Sequence, residues 1–243
     1  MGKLYVVGIG PGDYENMTVR ADEALKAADV IIGYHVYVRL VRGRYPEKEY
    51  LTTPMTGEAD RCRMALDEAS GGKTAAIICS GDSGIYGMAG LCFELRGDND
   101  GPEIEVIPGL TAACSGAALL GAPLTHDFAV ISLSDRLTEW PLIERRLLRA
   151  AEGDLSIVLY NPASHGRPDH LKKACEILMK VLPAERVCGV ARNIGRKGEQ
   201  RFFMPLSSLC GFPADMFCTV FIGNSSTAMI NGNMVTPRGY KNV

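Results

Sequence analysis

The stretch that decides the fold is KLYVVGIGPGD, residues 3–13, where an apolar run passes directly into a loop with glycines at positions 8, 10 and 12. A β-branched run that ends in glycine predicts a buried strand followed by a tight turn. The next stretch, TVRADEALKAA at residues 18–28, has helical periodicity, with Thr18 as its expected N-cap. The loop from Gly10 to Met17 therefore joins a strand to a helix, at the strand end where open α/β sheets bind ligands.

This loop does not match the dinucleotide-binding fingerprint GxGxxG. Gly8 and Gly10 match it, but Asp13 stands where the third glycine is required. Pro11 has no N–H to offer a pyrophosphate, and the next apolar run, residues 29–34, ends without the acidic residue that would bind a ribose. A dinucleotide-dependent oxidoreductase remains an alternative that rests on the glycines alone, and a tight turn without a ligand is another.

Composition excludes several classes of protein. The chain has 243 residues, 47% hydrophobic and 22% charged, which is enough for substantial globular cores. A formal net charge of −2 argues against a nucleic-acid binder. The eight cysteines form no CxxC pair and have no ligand-like spacing to a histidine, so we expect reduced thiols and no metal site. No apolar run reaches a membrane span and the N-terminus lacks a signal-peptide pattern, which predicts a cytoplasmic protein without membrane contact.

The pattern along the chain predicts an α/β protein with two domains. Short β-branched runs alternate with amphipathic stretches in residues 1–121, which indicates an N-terminal α/β domain with a mostly parallel sheet. After a small-residue helix at 111–120, Gly121 and Pro123 lead into a new strand, and we place the domain boundary there. Residues 122–243 repeat the alternation less regularly, with two late strands separated by a short non-helical stretch, which favours a C-terminal α/β domain with a mixed sheet.

Four strand ends carry unusual residues: VVGIGPGD, then CSGDSGIYG at 79–87, VIPGLTAA at 106–113 and VLYNPASHGR at 158–167. Because parallel strand ends share one edge of a sheet, we expect these loops to line one cleft. Asp82 is the acid of the second loop; its carboxylate either faces a ligand or forms an Asx turn or helix N-cap. His165 and His170 lie in a basic loop without metal-ligand spacing, and we expect both to be solvated.

Taken together and in this order, GIGPGD, SGDSGIYGMA, IPGLTAA and LYNP resemble the tetrapyrrole methyltransferases, which use S-adenosyl-L-methionine. The resemblance runs nearly end to end. It implies a class III methyltransferase-like fold of two α/β domains with an active-site trough between them, a tetrapyrrole substrate and a homodimer. The family usually has a proline where this chain has Ser83, and this departure predicts a looser backbone in the second loop.

Three further stretches, APLTHDFAVISLSD, ARNIGRKGE and MVTPRGY, are similar to one branch of this family. That branch methylates carbon 17 of precorrin-3B or of cobalt-factor III, and contracts the macrocycle to the precorrin-4 level, in cobalamin biosynthesis. The sequence does not distinguish a cobalt-containing from a metal-free substrate. Three alternatives stay open: another methyl-transfer step within the family, the oxidoreductase named above, and a non-catalytic tetrapyrrole carrier that kept the fold.

The resemblance also implies site residues. Those implied to surround the cofactor are Pro11, Gly81, Asp82, Ile85, Thr111, Ala112, Asn161 and Gly195. Neutral, glycine-rich loops suit a sulfonium, which tolerates no cationic neighbour. Ring contraction can use a general acid or base, and the candidates by proximity in sequence are His126, Asp135 and Ser132. Arginine forks bind the acetate and propionate groups of such a substrate, and the candidates are Arg39, Arg136, Arg192 and Arg238.

Overall fold

The computed structural model describes residues 2–98 and 101–240, and the chain divides into two compact units, Met1–Ala112 and Ala113–Val243. The boundary inferred from sequence, between residues 121 and 122, lies at the other end of the helix Ala112–Leu120. This helix contributes to the second unit, where a Cβ added to Gly116 would lie only 2.8 Å from the Phe221 ring. Close packing of small residues therefore ties the helix to the strands that follow it.

The first unit is a parallel sheet, as its sequence predicts. Its strands are β1 (Lys3–Gly8), β2 (Val30–Tyr34), β3 (Glu49–Thr53), β4 (Thr74–Cys79) and β5 (Glu103–Ile107). They lie in the order β3-β2-β4-β1-β5, and every pair is parallel. The helices are α1 (Val19–Ala27), α2 (His35–Val41), α3 (Glu58–Ser70) and α4 (Ala89–Arg96). β3 and α2 were not predicted from the sequence, because β3 is a half-exposed edge strand and α2 is short.

Two apolar layers cover the two faces of this sheet. Along β1, Leu4 and Val6 pack with α3 and α4, whereas Val7 packs with α1 and α2 on the opposite face. The alternation follows from the two-residue period of a strand. The helix α1 begins as predicted at its N-cap Thr18, whose side chain accepts a hydrogen bond from the Ala21 N–H at 3.1 Å. Both faces are therefore covered, which is typical of a parallel sheet.

Asp22 of α1 is buried and ties this helix to the chain that follows α2. Its carboxylate accepts hydrogen bonds from Lys26 Nζ at 2.5 Å, Tyr45 Oη at 2.6 Å and Arg44 Nε at 3.3 Å. Burial alone would raise the pKa of the Asp22 carboxyl, but these three donors outweigh burial and lower the pKa to about 2. The carboxylate form is therefore the form that stabilises the fold.

Stability should consequently fall in acid. The folded pKa of Asp22 lies below its unfolded value of about 3.9, so the contribution is complete above that pH and disappears as the pH falls towards 2. We expect Asp22→Asn to lower the free energy of unfolding at pH 6 by about 2 kcal/mol, and by progressively less towards pH 2. Urea unfolding at several pH values measures this. Asp60→Asn, at an exposed ion pair with Arg63, is the control and should change stability by less than about 0.5 kcal/mol.

The second unit has a mixed sheet, which confirms the prediction for this half. Its strands are β6 (Gly121–Ala122), β7 (Phe128–Ser132), β8 (Ser156–Tyr160), β9 (Val187–Arg192), β10 (Gln200–Pro205), β11 (Cys218–Ile222), β12 (Ala228–Ile230) and β13 (Asn233–Val235). The main sheet has the order β10-β9-β11-β8-β7, in which only β7 and β8 are parallel neighbours. A small sheet, β12-β13-β6, was not predicted because its strands are two or three residues long.

The helices of this unit are α5 (Ala112–Leu120), α6 (Trp140–Glu152), α7 (His170–Leu178) and the short α8 (Leu206–Leu209). Buried side chains of α6 and α7, such as Leu147 and Leu178, form one core with β8, β9 and β11. Among the residues that the structure describes, no helix has the length and hydropathy needed to cross a bilayer.

Candidate active site

Three loops meet at one edge of the first sheet: loop 1 (residues 9–18), loop 2 (residues 80–88) and loop 3 (residues 108–111). They follow β1, β4 and β5, which are neighbours in the sheet. Gly10 and Gly81 exchange two backbone hydrogen bonds, with N···O distances of 3.0 and 2.7 Å. Both have positive φ, +74° and +71°, a region that favours glycine. The expected convergence of strand ends is thus present for the three loops of this unit.

Backbone lies against backbone where these loops leave the sheet. A Cβ added to Gly109 would lie 2.2 Å from the carbonyl oxygen of Gly81 and 2.6 Å from that of Gly8. A Cβ on Gly8 would lie 2.6 Å from the Gly109 nitrogen. No side chain fits at these distances, so glycine is required at both positions. The three loops therefore form one compact platform.

Asp82 stabilises a turn within loop 2 and links loop 2 to loop 3. Its Oδ1 accepts hydrogen bonds from the Gly84 N–H at 2.7 Å and the Ile85 N–H at 2.9 Å, and its Oδ2 accepts one from the Gly109 N–H at 2.9 Å. This is the Asx turn that the sequence left open. The N-cap alternative does not apply, because α4 begins only at Ala89.

Ser83 fastens the same loop to β5. Its side chain is fully buried, and its Oγ donates to the Ile107 carbonyl at 2.8 Å. The expectation that this residue loosens the loop is therefore wrong. A hydroxyl group that is buried and hydrogen-bonded anchors a loop where a proline would have restricted only φ.

The chemistry of the platform suits a cation with an apolar part. Loops 1 to 3 contain no lysine or arginine, but they contain the carboxylates of Asp13, Glu15 and Asp82. Ile85 and Tyr86 project from loop 2 with 44% and 55% of their surfaces exposed, which leaves apolar surface for contact. A phosphate would meet no lysine or arginine within these three loops. The six cofactor candidates Pro11, Gly81, Asp82, Ile85, Thr111 and Ala112 all belong to these loops or follow them directly.

In addition, a cavity of about 300 Å³ lies beside loop 1. Its walls include Tyr14 and Met17 of loop 1 and Leu40 and Arg44 from α2 and the turn after it. The guanidinium of Arg44 stacks on the Tyr14 ring at 3.2 Å from the ring centroid. The Arg44 guanidinium is also engaged in the fold, because its Nε donates to buried Asp22 at 3.3 Å.

The other two cofactor candidates, Asn161 and Gly195, belong to the second unit. Asn161 follows β8 with φ +53°, and its Nδ2 donates to Ser132 Oγ at 3.0 Å. Gly195 follows β9 with φ +65°, and its N–H donates to Glu199 at 2.7 Å. Because β8 and β9 both run antiparallel to β11, their carboxyl ends lie on the same edge of the sheet. Asn161 and Gly195 therefore follow strand ends at the same edge of the sheet.

The three acid–base candidates are not together. Ser132 and Asp135 lie at and just after the end of β7, where the Ser132 Oγ also accepts from the Ser134 N–H at 3.2 Å. His126 is exposed and precedes the start of the same strand. Five strand residues separate the two ends, which is roughly 17 Å. His126 is therefore remote from Ser132 and Asp135.

His170 was expected to be solvated, and this prediction is wrong. His170 is only 6% exposed, its Nδ1 lies 2.8 Å from the Leu133 carbonyl, and its Nε2 lies 3.4 Å from Asp135 Oδ2. The signal was available in the spacing, since His170, Leu171 and Ala174 share the buried face of α7.

The four arginine candidates differ in their surroundings. Arg39 and Arg136 are exposed, and Arg238 is exposed with its Nη1 3.3 Å from the Thr125 carbonyl oxygen. Arg192, by contrast, donates from Nε to Cys218 Sγ at 3.2 Å. Its guanidinium carbon also lies 5.3 Å from the centroid of the Phe212 ring. Arg192 is the least suited of the four to bind a substrate carboxylate, because its guanidinium is occupied in the fold.

Comparison with known proteins identifies the family. The family model described as Tetrapyrrole (Corrin/Porphyrin) Methylases matches residues 3–210. The chain is 45% identical over 238 residues to a Salmonella typhimurium protein named probable cobalt-factor III C(17)-methyltransferase, covering 98% of this chain and 99% of that one. It is 39% identical to the precorrin-3B C(17)-methyltransferase of a Sinorhizobium species, covering 98% of this chain and 97% of that protein.

Solved structures agree with this result. The crystal structure of the methyltransferase CobJ matches with a TM-score of 0.91 and 34% identity, over 98% of this chain and 100% of that chain. A Thermus thermophilus uroporphyrin-III C-methyl transferase, solved with S-adenosyl homocysteine, has a TM-score of 0.71 over 91% of this chain and 97% of that chain; at 20% identity it shows the fold alone. By its sequence, its fold and its ordered glycine loops, this chain belongs to the tetrapyrrole methylase family.

Proposed function

We propose that this protein transfers a methyl group from S-adenosyl-L-methionine to carbon 17 of precorrin-3B or cobalt-factor III, with contraction of the macrocycle, in cobalamin biosynthesis. The observation that carries the proposal is the 45% identity, over nearly the whole of both chains, to a relative named for the cobalt-factor III reaction. The 39% identity to a relative named for the precorrin-3B reaction leaves the presence of cobalt in the substrate to experiment.

The methyl donor follows from the family and from the chemistry of the loops. A relative of the same fold has been solved with S-adenosyl homocysteine. When bound, S-adenosylmethionine supplies a methyl group on a sulfonium for an in-line displacement. The platform has carboxylates and no lysine or arginine, so it places no positive charge beside a sulfonium. Pro11, Gly81, Ile85 and Thr111 of the first unit are proposed to contact the donor. The family resemblance also assigns Asn161 and Gly195 of the second unit to it.

Asp82 has an indirect part in this proposal. Its two oxygens accept three backbone hydrogen bonds, so the carboxylate first fixes loops 2 and 3 in one arrangement. Fixing these loops before the donor binds lowers the entropy cost of binding. The donor is then held where a nucleophilic ring carbon can approach in line with the methyl group.

Substrate binding is proposed for the exposed arginines. The macrocycle carries several carboxylates, and a guanidinium binds a carboxylate through two parallel hydrogen bonds. Arg39, Arg136 and Arg238 are the candidates, whereas Arg192 is occupied within the second unit. A cytoplasmic location and a homodimer remain predictions from the sequence and from the family resemblance.

The test is anaerobic incubation with S-adenosylmethionine and, in separate tubes, cobalt-factor III or precorrin-3B. The expected result is one added methyl group by mass, together with a shifted absorbance spectrum, in one tube. Tubes without the methyl donor are the control. Methylation of neither substrate, with S-adenosyl homocysteine still bound in calorimetry, contradicts the carbon-17 assignment and favours another step of the family. Tetrapyrrole binding without turnover on any substrate of the family favours the carrier alternative.

A further inference from the structure

A buried histidine lies next to an exposed carboxylate just after the end of β7. His170 is 6% exposed and forms the first residue of α7, whereas the Asp135 side chain is 37% exposed. The distance between His170 Nε2 and Asp135 Oδ2 is 3.4 Å. On the far side of the imidazole, Nδ1 lies 2.8 Å from the Leu133 carbonyl. The ring is packed against Trp140, with 4.9 Å between ring centroids.

The contacts at Nδ1 and Nε2 determine which way the His170 imidazole faces. A carbonyl oxygen can only accept, so Nδ1 carries a hydrogen and donates it to Leu133. Nε2 then faces the Asp135 carboxylate, with 3.4 Å between Nε2 and Oδ2. The ring cannot turn away to solvent, because Trp140 and the core side of α7 enclose it. His170 is thus oriented by its surroundings towards Asp135.

The pair belongs to a row of polar groups that reaches Asn161. Arg167 Nη1 lies 3.7 Å from Asp135 Oδ1 and donates to Ser134 Oγ at 2.5 Å. The Ser134 N–H donates in turn to Ser132 Oγ, which Asn161 also contacts. The row lies along the carboxyl ends of the parallel strands β7 and β8. Asp135 is therefore at the same sheet edge as a residue that the family resemblance assigns to the cofactor.

Two other charged groups are close to the pair. Arg167 approaches Asp135 from the loop before α7, and Lys173 of α7 lies with its Nζ 5.7 Å from the centroid of the Trp140 ring. Arg167 pairs with the carboxylate oxygen that His170 does not contact. Arg167 and His170 therefore contact different oxygens of Asp135.

We infer that His170 is a positioning residue that holds the Asp135 carboxylate at the sheet edge of Asn161, so that Asp135 exchanges a proton with the macrocycle during ring contraction. The inference rests on the proposed function. When Asp135 accepts a proton, the substrate loses one positive charge and the Asp135–His170 pair gains it. The exposed carboxylate then returns the proton to the substrate or to water, and no other reactant is needed.

Two substitutions separate this role from a structural one. His170→Asn places an amide nitrogen where Nδ1 lies, which keeps the Leu133 bond and loses the contact with Asp135. His170→Gln places an amide nitrogen where Nε2 lies, which keeps the contact with Asp135 and loses the Leu133 bond. We expect kcat to fall at least 10-fold in His170→Asn and no more than about 3-fold in His170→Gln, with KM for the tetrapyrrole within about 2-fold of the wild type in both.

The relative kcat values of His170→Asn and His170→Gln distinguish a positioning role from a purely structural one. A purely structural histidine would make His170→Gln the poorer enzyme, since that variant loses the buried bond to Leu133. If kcat in His170→Gln is equal to or lower than kcat in His170→Asn, the inference is overturned. Thermal unfolding of both variants identifies any loss of activity that merely follows loss of fold.

A spectroscopic measurement tests the contact without turnover. The chain has four histidines, so ¹⁵N-histidine labelling gives few signals, and the signal lost in His170→Gln is assigned to His170. We expect Nδ1 of His170 to be protonated, and Asp135→Asn to shift only the Nε2 resonance of this residue, by several ppm. An unchanged resonance overturns the inference even if the enzyme is active. Failure of the wild type to methylate either tetrapyrrole, with the resonance shift present, counts against the proposed function and not against the contact.

Discussion

Gly109→Ala is expected to lower the free energy of unfolding by about 3 kcal/mol and to abolish measurable binding of S-adenosyl homocysteine. The added methyl carbon would lie 2.2 Å from the Gly81 carbonyl oxygen and 2.6 Å from the carbonyl carbon of Gly8. All of these neighbours are backbone atoms, which cannot turn away as a flexible side chain can. The strand ends must therefore move apart, and the platform formed by loops 1 to 3 opens.

Urea unfolding and calorimetric titration with S-adenosyl homocysteine measure the two effects. The matched control is Gly90→Ala in the first turn of α4, where an added Cβ meets nothing within 4 Å. This substitution should be neutral or stabilise the protein by up to about 1 kcal/mol, because alanine favours the helix over glycine. Near-normal binding in Gly109→Ala would show that the cofactor does not depend on contact between the three loops.

Asp82→Ala should lower both stability and cofactor binding, by about 2–3 kcal/mol in the free energy of unfolding and at least 30-fold in the affinity for S-adenosyl homocysteine. The substitution removes an ionised acceptor of three backbone hydrogen bonds, from Gly84, Ile85 and Gly109. Hydrogen bonds to a charged group contribute more than neutral ones, and the three amides lose their partner together. Loop 2 then loses both its own turn and its link to loop 3.

Asp82→Asn distinguishes the turn within loop 2 from the link between loops 2 and 3. Its remaining oxygen can keep the Asx turn with Gly84 and Ile85, while its amide group faces the Gly109 N–H as donor against donor. We expect a smaller loss of stability than in the alanine variant, together with clearly weaker binding. The control is Asp13→Ala in loop 1. Among the residues that the structure describes, this carboxylate accepts hydrogen bonds from Asn16 alone, so the substitution should lower the free energy of unfolding by about 1 kcal/mol or less. Loss of binding in Asp82→Ala at unchanged stability would point instead to direct contact between this carboxylate and the cofactor.

Much of the fold follows from local patterns. The strands around Val6, Ile31 and Ile77 were predictable, because continuous apolar runs bounded by glycine are typical of strands buried on both faces. The cap at Thr18 was predictable from its side chain and the apolar period after it. The edge strand β3 and the short strands of the small sheet were not, because a half-exposed or very short strand has too few apolar positions to show a period.

The sequence by itself determined the alternation of the main strands and helices, the parallel and mixed character of the two sheets, the family and the four loops that carry its motifs. Local propensity and the family motifs both depend on residues that are close in the chain or in a recognisable order. Only the tertiary structure decided which of those residues touch: that Gly8, Gly81 and Gly109 pack backbone to backbone, and that Asp82 is occupied by amide groups. Likewise, only the structure paired Asp135 with His170 and left His126 at the far end of β7. Such contacts depend on which strands become neighbours in the sheet, and no local stretch of sequence specifies that choice.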